Sequence, residues 1–204
     1  MDISVIIPCH NLENYIERCL KSILKQNYDK NKYEIIMVFD SCIDKTEQIA
    51  KKCLDNSEIY FKFFKTSCKR AGVSRNIGLE NSQGHYVYFV DGDDYLVDNN
   101  AFQKLIKCIR DSKSNAVYMT GFECEDKKII DNDAIWRFFY KRSIIGMVRF
   151  STLIINEDWE FVGKVRQNQG YKESKIDDIL YHYTYPREGS ITAHFRELHP
   201  DLYK

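Results

Sequence analysis

The sequence predicts an α/β fold: a doubly wound, mostly parallel sheet with helices on both faces and a small antiparallel C-terminal extension. Three observations carry this. Short, almost wholly apolar runs at Ile3-Ser4-Val5-Ile6-Ile7, Tyr33 to Phe39 and Tyr86 to Val90 read as strands buried on both faces, as parallel strands between helical layers are. Between these runs, apolar residues recur at helical spacing. Polar residues cluster at the strand ends, in Pro8-Cys9-His10-Asn11, Asp40-Ser41 and Asp91-Gly92-Asp93-Asp94, where open α/β sheets bind their ligands.

Each element has its own reason. The first strand starts at Ile3 and is stopped by Pro8. Leu12, Ile16, Cys19, Leu20, Ile23 and Leu24 then mark an amphipathic helix, with Asn11 as candidate N-cap. Tyr33 to Phe39 is the second strand and ends at Asp40. Asp44-Lys45-Thr46-Glu47 opens the second helix, a capping residue followed three places on by Glu. Ile59 to Phe64 is the third strand, Val73 to Asn81 a short helix closed around Gly84, and Tyr86 to Val90 the fourth strand. Ala101 to Ile109 is a long helix and Asn115 to Phe122 another strand. Repeated βα units imply crossovers and a mostly parallel sheet. Further on, Asp133 to Ile145 (DAIWRFFYKRSII) predicts an amphipathic helix. Its basic-aromatic cluster of Arg137, Lys141, Arg142, Trp136, Phe138, Phe139 and Tyr140 also suits contact with a lipid-linked acceptor at a membrane face. Glu157-Asp158-Trp159-Glu160-Phe161 reads as a helix start with acids in its first turn. Ile179 to Tyr185 alternates as an antiparallel strand does. No repeat or linker divides the chain, so one domain over 1–204 is expected.

Composition narrows the function. The 204 residues, 44% apolar and 29% charged, suffice for one full domain with a sizeable core. Lys+Arg and Asp+Glu both number 30, so net charge is zero and a nucleic-acid binder working by bulk charge is excluded. No apolar run approaches the ~18 residues of a membrane span. No basic region precedes the opening apolar stretch, so no secretory signal is expected. The seven cysteines are scattered without a C-x-x-C pair, which reads as a reduced, cytosolic protein rather than a disulfide framework or a zinc site.

Asp91-Gly92-Asp93-Asp94 runs straight out of an apolar strand. Two carboxylates two residues apart at a strand exit can converge on a hard cation, Mg²⁺ or Mn²⁺, that shares its shell with substrate phosphates. A solvated Asp/Gly turn has the same sequence. No P-loop and no G-x-G-x-x-G follows the first strand, so kinase, ATPase and dinucleotide sites of the usual kind are not expected.

These residues together resemble a family 2 glycosyltransferase of the GT-A fold, the inverting type that uses a nucleotide-sugar. Ser4 to Asn11 with Glu13 is similar to the family's first strand and nucleotide loop. Glu34 to Thr46 is similar to its second strand. Ala71 to Gly78 and Gly84 to Asp94 are similar to its most recognisable block. Trp136 to Arg142 and Arg149-Phe150 fit the segment before its acidic E-D motif, here Glu157-Asp158, and Arg187 to Thr192 resembles its closing loop. Six weak motifs in order make a strong one.

The resemblance implies a role for each position. Pro8, His10, Glu13 and Asp40 would line the donor nucleotide, Asp40 receiving its base or ribose. Asp91 would lie near ribose and metal, Asp93 would bind the metal directly, and the metal would be Mn²⁺ or Mg²⁺. Arg70, Arg75 and Arg187 are candidates for the pyrophosphate, although Arg75 in a short helix equally suits a carboxylate partner that orients the loop. Asp158 would be the general base, taking the acceptor hydroxyl's proton on the face opposite the leaving group. On spacing alone, Glu157 and Asp158 are first-turn acids of a helix. Glu157 and Trp159 would meet the acceptor. His182, among tyrosines, suits either the packed core or a reach to metal and phosphates.

The implied activity is transfer of one sugar from a nucleoside-diphosphate sugar, a UDP-sugar first among them, to a hydroxyl of a glycan or lipid-linked acceptor in polysaccharide or glycoconjugate synthesis. Residues 1–94 would bind the donor and 95–204 the acceptor. A cytosolic, non-processive enzyme is expected, peripheral at most to the membrane's inner face, its oligomeric state open with a homodimer included. Phe39 stands where the family often carries an acid, and Ser41-Cys42 replaces the usual Gly-Ser. That departure, with the short acceptor region, leaves an alternative from another class: a non-catalytic nucleotide-sugar or glycan-binding module on the same fold.

Overall fold

A computed structural model describes residues 1–124 and 133–185. The apolar runs form strands β1 (Ile3–Cys9), β2 (Tyr33–Asp40), β3 (Tyr60–Thr66) and β4 (Tyr86–Phe89). Every residue of β2 is buried, which is why its sequence has no polar alternation. Helices α1 (Ile16–Leu24), α2 (Thr46–Leu54) and α3 (Ala71–Glu80) connect them. β1 pairs in parallel with β2 and β4, and β2 with β3.

Alternate residues of β1 serve opposite faces. Ile3, Val5 and Ile7 pack with α1, α2 and α4 (Ala101–Ser112). Ile6 packs with α3, the short α5 (Arg142–Ile145) and α6 (Glu157–Arg166) on the other face. A Cβ on Gly78 of α3 would fall 2.3 Å from Ile6 Cγ2, so the absence of a side chain there lets α3 lie directly on the central strand.

The seven-stranded sheet has the order β3-β2-β1-β4-β8-β6-β9. Its later strands are β6 (Ala116–Met119), β8 (Phe138–Lys141) and β9 (Glu173–Ile176). A smaller sheet has the order β5-β10-β7, from β5 (Tyr95–Leu96), β7 (Glu123–Cys124) and β10 (Tyr181–Tyr183).

Four local expectations are corrected. Asp133 to Ile145 is not one helix: Ile135–Arg137 is a 3-10 turn, Phe138–Lys141 is β8 between β4 and β6, and only Arg142–Ile145 is helical. Phe139 faces one core layer while Phe138 and Tyr140 face the other. A strand buried on both sides thus mimics the crowding of an apolar helix. Arg137 does not lie on a surface: it is buried, donating to the carbonyls of Met119 (3.0 Å) and Thr120 (2.8 Å) with its guanidinium over the Tyr118 ring. Asn11 does not cap α1. It is left-handed (φ 51°) and its Oδ1 accepts the Ile43 N–H at 2.9 Å. Finally, β10 is antiparallel to β5 but parallel to β7.

Candidate active site

The chain from β3 through α3 returns to the far side of β1, so the sheet's winding reverses between β1 and β4. The crevice beyond their carboxyl ends is where such a fold binds ligand. The loops around it are tied to one another. Glu13 N–H donates to Asp44 Oδ2 (2.9 Å), and Lys45 N–H returns a bond to Glu13 Oε2 (3.1 Å). Leu12 N–H donates to Thr46 Oγ1 at 2.6 Å. His10 Nδ1 lies 2.7 Å from the Asp40 carbonyl. A carbonyl only accepts, so Nδ1 is the donor in this bond. Of the five non-glycine residues with positive φ among the described residues, Asn11, Ser41, Lys69 and Asn156 lie in the loops here and Lys113 ends α4.

Asp40, expected against base or ribose, is buried at the end of β2. Its Oδ1 accepts from Lys69 N–H (2.9 Å) and Ser41 Oγ (3.1 Å), and its Oδ2 from Arg70 N–H (2.9 Å). The carboxylate therefore pins the β3–α3 loop. Arg70 extends to the Thr152 carbonyl (3.2 Å), joining that loop to the segment before α6. Pro8 is half-buried in β1 opposite Val38. Phe39 turns into the core, edge-on to Phe63 at 5.1 Å.

Arg75 is the hub. Buried in α3, it holds Asp91 through Nη2 (2.9 Å) and both Glu157 (3.0 Å) and Asp158 (2.8 Å) through Nη1. The orienting role is the one its geometry fills, since three carboxyls occupy its fork. A Cβ on Gly72, one turn earlier, would meet the Ser151 carbonyl at 2.8 Å, so that glycine lets the segment before α6 close onto α3 and brings Glu157 and Asp158 to Arg75. Asp158 Oδ2 also accepts the Ile135 N–H at 3.1 Å. Burial pushes the Asp158 carboxyl up to about 7, against the pull of Arg75 and with the help of Glu157 and Asp91. Trp159, the next residue, is 54% exposed, as is Ile154 nearby in sequence.

At the exit of β4, Asp94 N–H donates to the Asp91 carbonyl (3.0 Å) and closes a turn. Burial, then Asp93 and Asp91, push the Asp94 carboxyl well above the usual range. His182 is buried and stacked on Tyr95 at 4.3 Å, with the Arg18 guanidinium 4.4 Å from the same ring. Among the described residues no three His, Cys, Asp or Glu side chains converge as a metal cage. The hard oxygens of Asp91 and Asp93 still fit Mg²⁺ or Mn²⁺, which are commonly held by one or two carboxylates together with substrate phosphates. Arg187 lies outside the described residues. Sequence reasoning overlooked Asp94, Tyr181, Thr184 and Arg18 around this turn; only Asp94 carried a signal, its place in the acidic run.

Fold and crevice are those of a GT-A glycosyltransferase, and comparison with known proteins agrees. Residues 4–180 match glycosyl transferase family 2, and the chain belongs to that family. It is 36% identical over 96 residues (47% of the chain, 17% of the relative) to the poly(ribitol-phosphate) β-N-acetylglucosaminyltransferase TarS of Staphylococcus aureus. It is 27% identical to the minor teichoic acid biosynthesis protein GgaB of Bacillus subtilis, over 93% of this chain and 23% of GgaB. These sequence matches cover less than a quarter of either relative, and in structure the chain covers 37% of TarS. The crystal structure of S. aureus TarS 1–349 with UDP-GlcNAc superposes with a TM-score of 0.84 at 25% identity, covering 95% of this chain and 61% of that one. The mannosyltransferase PcManGT of Pyrobaculum calidifontis, solved with GDP-Man and Mn²⁺, shares the fold at a TM-score of 0.79 and 18% identity, over 96% and 60% of the two chains. No helix among the described residues is long and apolar enough to cross a membrane.

Proposed function

We propose that this chain transfers one sugar, with inversion, from a nucleoside-diphosphate sugar to a hydroxyl of a glycan or lipid-linked acceptor in cell-surface polysaccharide synthesis, working at the cytosolic side of the membrane. A UDP-sugar is the donor favoured by the UDP and UDP-GlcNAc complexes of TarS. The observation that carries the reading is Asp158: a largely buried carboxyl, raised to about 7 and tied through Arg75 to Asp91.

In this reading residues 1–94 hold the donor and 95–204 the acceptor. Pro8, His10, Glu13 and Asp40 form the nucleotide side, Arg70 and Arg187 face the pyrophosphate, and Glu157 and Trp159 the acceptor. Asp93 and Asp91 would hold a divalent ion, which would supply charge neutralisation for the departing diphosphate. Asp158 accepts the acceptor hydroxyl's proton as its oxygen bonds to the anomeric carbon; the bond to the diphosphate oxygen breaks on the opposite face. Arg75 and the Ile135 N–H hold the two oxygens of Asp158 in place, so the base is oriented before substrate arrives.

The test is a screen of nucleotide-sugars with Mn²⁺ or Mg²⁺, followed by nucleoside diphosphate release, with Asp93→Ala and Asp158→Asn in parallel. Turnover of one donor that EDTA stops, and that Asp158→Asn abolishes while still binding donor, is the expected result. Donor bound by the wild type but never turned over, with any acceptor tried, would favour the non-catalytic module.

A further inference from the structure

We propose that Tyr181, backed by Thr184, is the positioning residue of the Asp91–Asp94 turn, so that β10 sets the geometry in which the turn meets a divalent cation. This rests on the donor reading above, which places the cation there.

The Tyr181 hydroxyl spans both ends of the turn. It accepts from Asp91 N–H (3.1 Å) and donates to Asp94 Oδ2 (2.8 Å). One oxygen thus joins the backbone at the start of the turn to the side chain at its end. The ring is fully buried and stacked on Trp136 at 4.6 Å and 8°, so the hydroxyl cannot drift from the turn. Thr184 adds the next rung. Its N–H donates to Asp94 Oδ1 (2.8 Å), and its Oγ1 donates to the Asp93 carbonyl (2.8 Å) while accepting from Arg18 Nη2 (2.8 Å). Arg18 Nη2 reaches the same Asp93 carbonyl at 3.0 Å.

Three carboxyls in four residues repel one another when no cation lies between them. The turn's own closure is the single Asp94 N–H to Asp91 carbonyl bond. Bonds from Tyr181 of β10, Thr184 just after it and Arg18 hold the turn from outside, on Asp91, Asp93 and Asp94 alike, so little reorganisation is left for the moment of ion binding. Residues that orient metal ligands from behind act on affinity without touching the ion.

The test reads Mn²⁺ uptake in the presence of UDP, from loss of the free-ion EPR signal, for the wild type, Tyr181→Phe, Thr184→Val and Asp93→Ala. Thermal unfolding without ligands runs alongside. Tyr181→Phe keeps the stacking on Trp136 and is expected to weaken Mn²⁺ binding about tenfold, with Thr184→Val weakening it in the same direction. Variants that lose thermal stability yet bind Mn²⁺ as the wild type does would overturn the proposal, because a purely packing role moves stability alone. Thr184→Val is half-buried and close in shape, so it decides the matter if Tyr181→Phe does not fold. A wild type that takes up no Mn²⁺ overturns the donor reading and this proposal together. Uptake lost in Asp93→Ala but unchanged in Tyr181→Phe and Thr184→Val overturns this proposal alone.

Discussion

At the residue scale, Arg75 and Asp158 share one problem: a single guanidinium faces three carboxyls in a buried place. Removing the cation leaves all three uncompensated, so Arg75→Met is expected to destabilise the fold by about 3–5 kcal/mol, read from urea unfolding. Asp158 carries the pH dependence. Its folded-state value is raised to about 7 from 3.8. A base must be ionised to work, so kcat/KM is expected to climb with pH and level off above about 7. Stability moves the other way. The protonated carboxyl is the form the fold favours; its contribution is full below the unfolded value and is lost as pH rises through about 7. Asp158→Asn removes that loss. Its melting temperature should therefore gain on the wild type between about pH 5 and pH 8, while transfer falls by about 10²-fold or more. The Glu157-Asp158 pair could be read from the sequence as a helix start or as a base. What could not be read was that Arg75, some eighty positions earlier, gathers both with Asp91: an ion-pair hub is set by tertiary closure and leaves no periodic trace.

At the scale of elements, β1 to β4 and α1 to α4 were readable from patterns such as a continuous apolar run for β1, β2 and β4 and helical spacing for α1 and α4, whereas the two-residue β5 was not. β8 was not. Phe138-Phe139-Tyr140 fills both core layers from the middle of the sheet, and such a run has no period to separate strand from helix. The β9 segment, Glu173–Ile176, is polar and only partly buried, and its strand state comes from pairing with β6 rather than from its residues. The contact of α3 with β1 gives a test at this scale. An alanine methyl at Gly78 would lie 2.3 Å from Ile6 Cγ2 in the central strand. Gly78→Ala is expected to cost about 1–3 kcal/mol. Combined with Ile6→Ala, which removes the clashing methyl, the double variant should lose less than the two singles added together. A double-mutant cycle in urea measures it, and strict additivity would mean that α3 can shift away from the sheet.

For the whole molecule, the two halves hold each other's functional groups. Arg75 in residues 1–94 pairs with Asp158 in residues 95–204, and Tyr181 and Thr184 near the end of the described residues bond to the Asp91–Asp94 turn. Donor and metal should therefore stabilise the entire fold rather than one lobe. Binding to the native state alone adds RT ln(1 + [L]/Kd), about 2.7 kcal/mol at a hundredfold excess over Kd. For a chain of this size each kcal/mol raises the melting temperature by roughly 2–4 °C. UDP with Mn²⁺ is thus expected to raise it by roughly 5–10 °C in one cooperative transition. UDP with EDTA should give a smaller rise, because the diphosphate then meets Asp91 and Asp93 without a cation between them. The control is GDP with Mn²⁺, which separates recognition of the base from recognition of the diphosphate. Equal shifts with UDP and GDP would mean that His10 and Asp40 read only the ribose and phosphates, and that the choice of base lies elsewhere in the chain. A larger shift with UDP would assign that choice to the loops after β1 and β2, which the His10–Asp40 bond ties together.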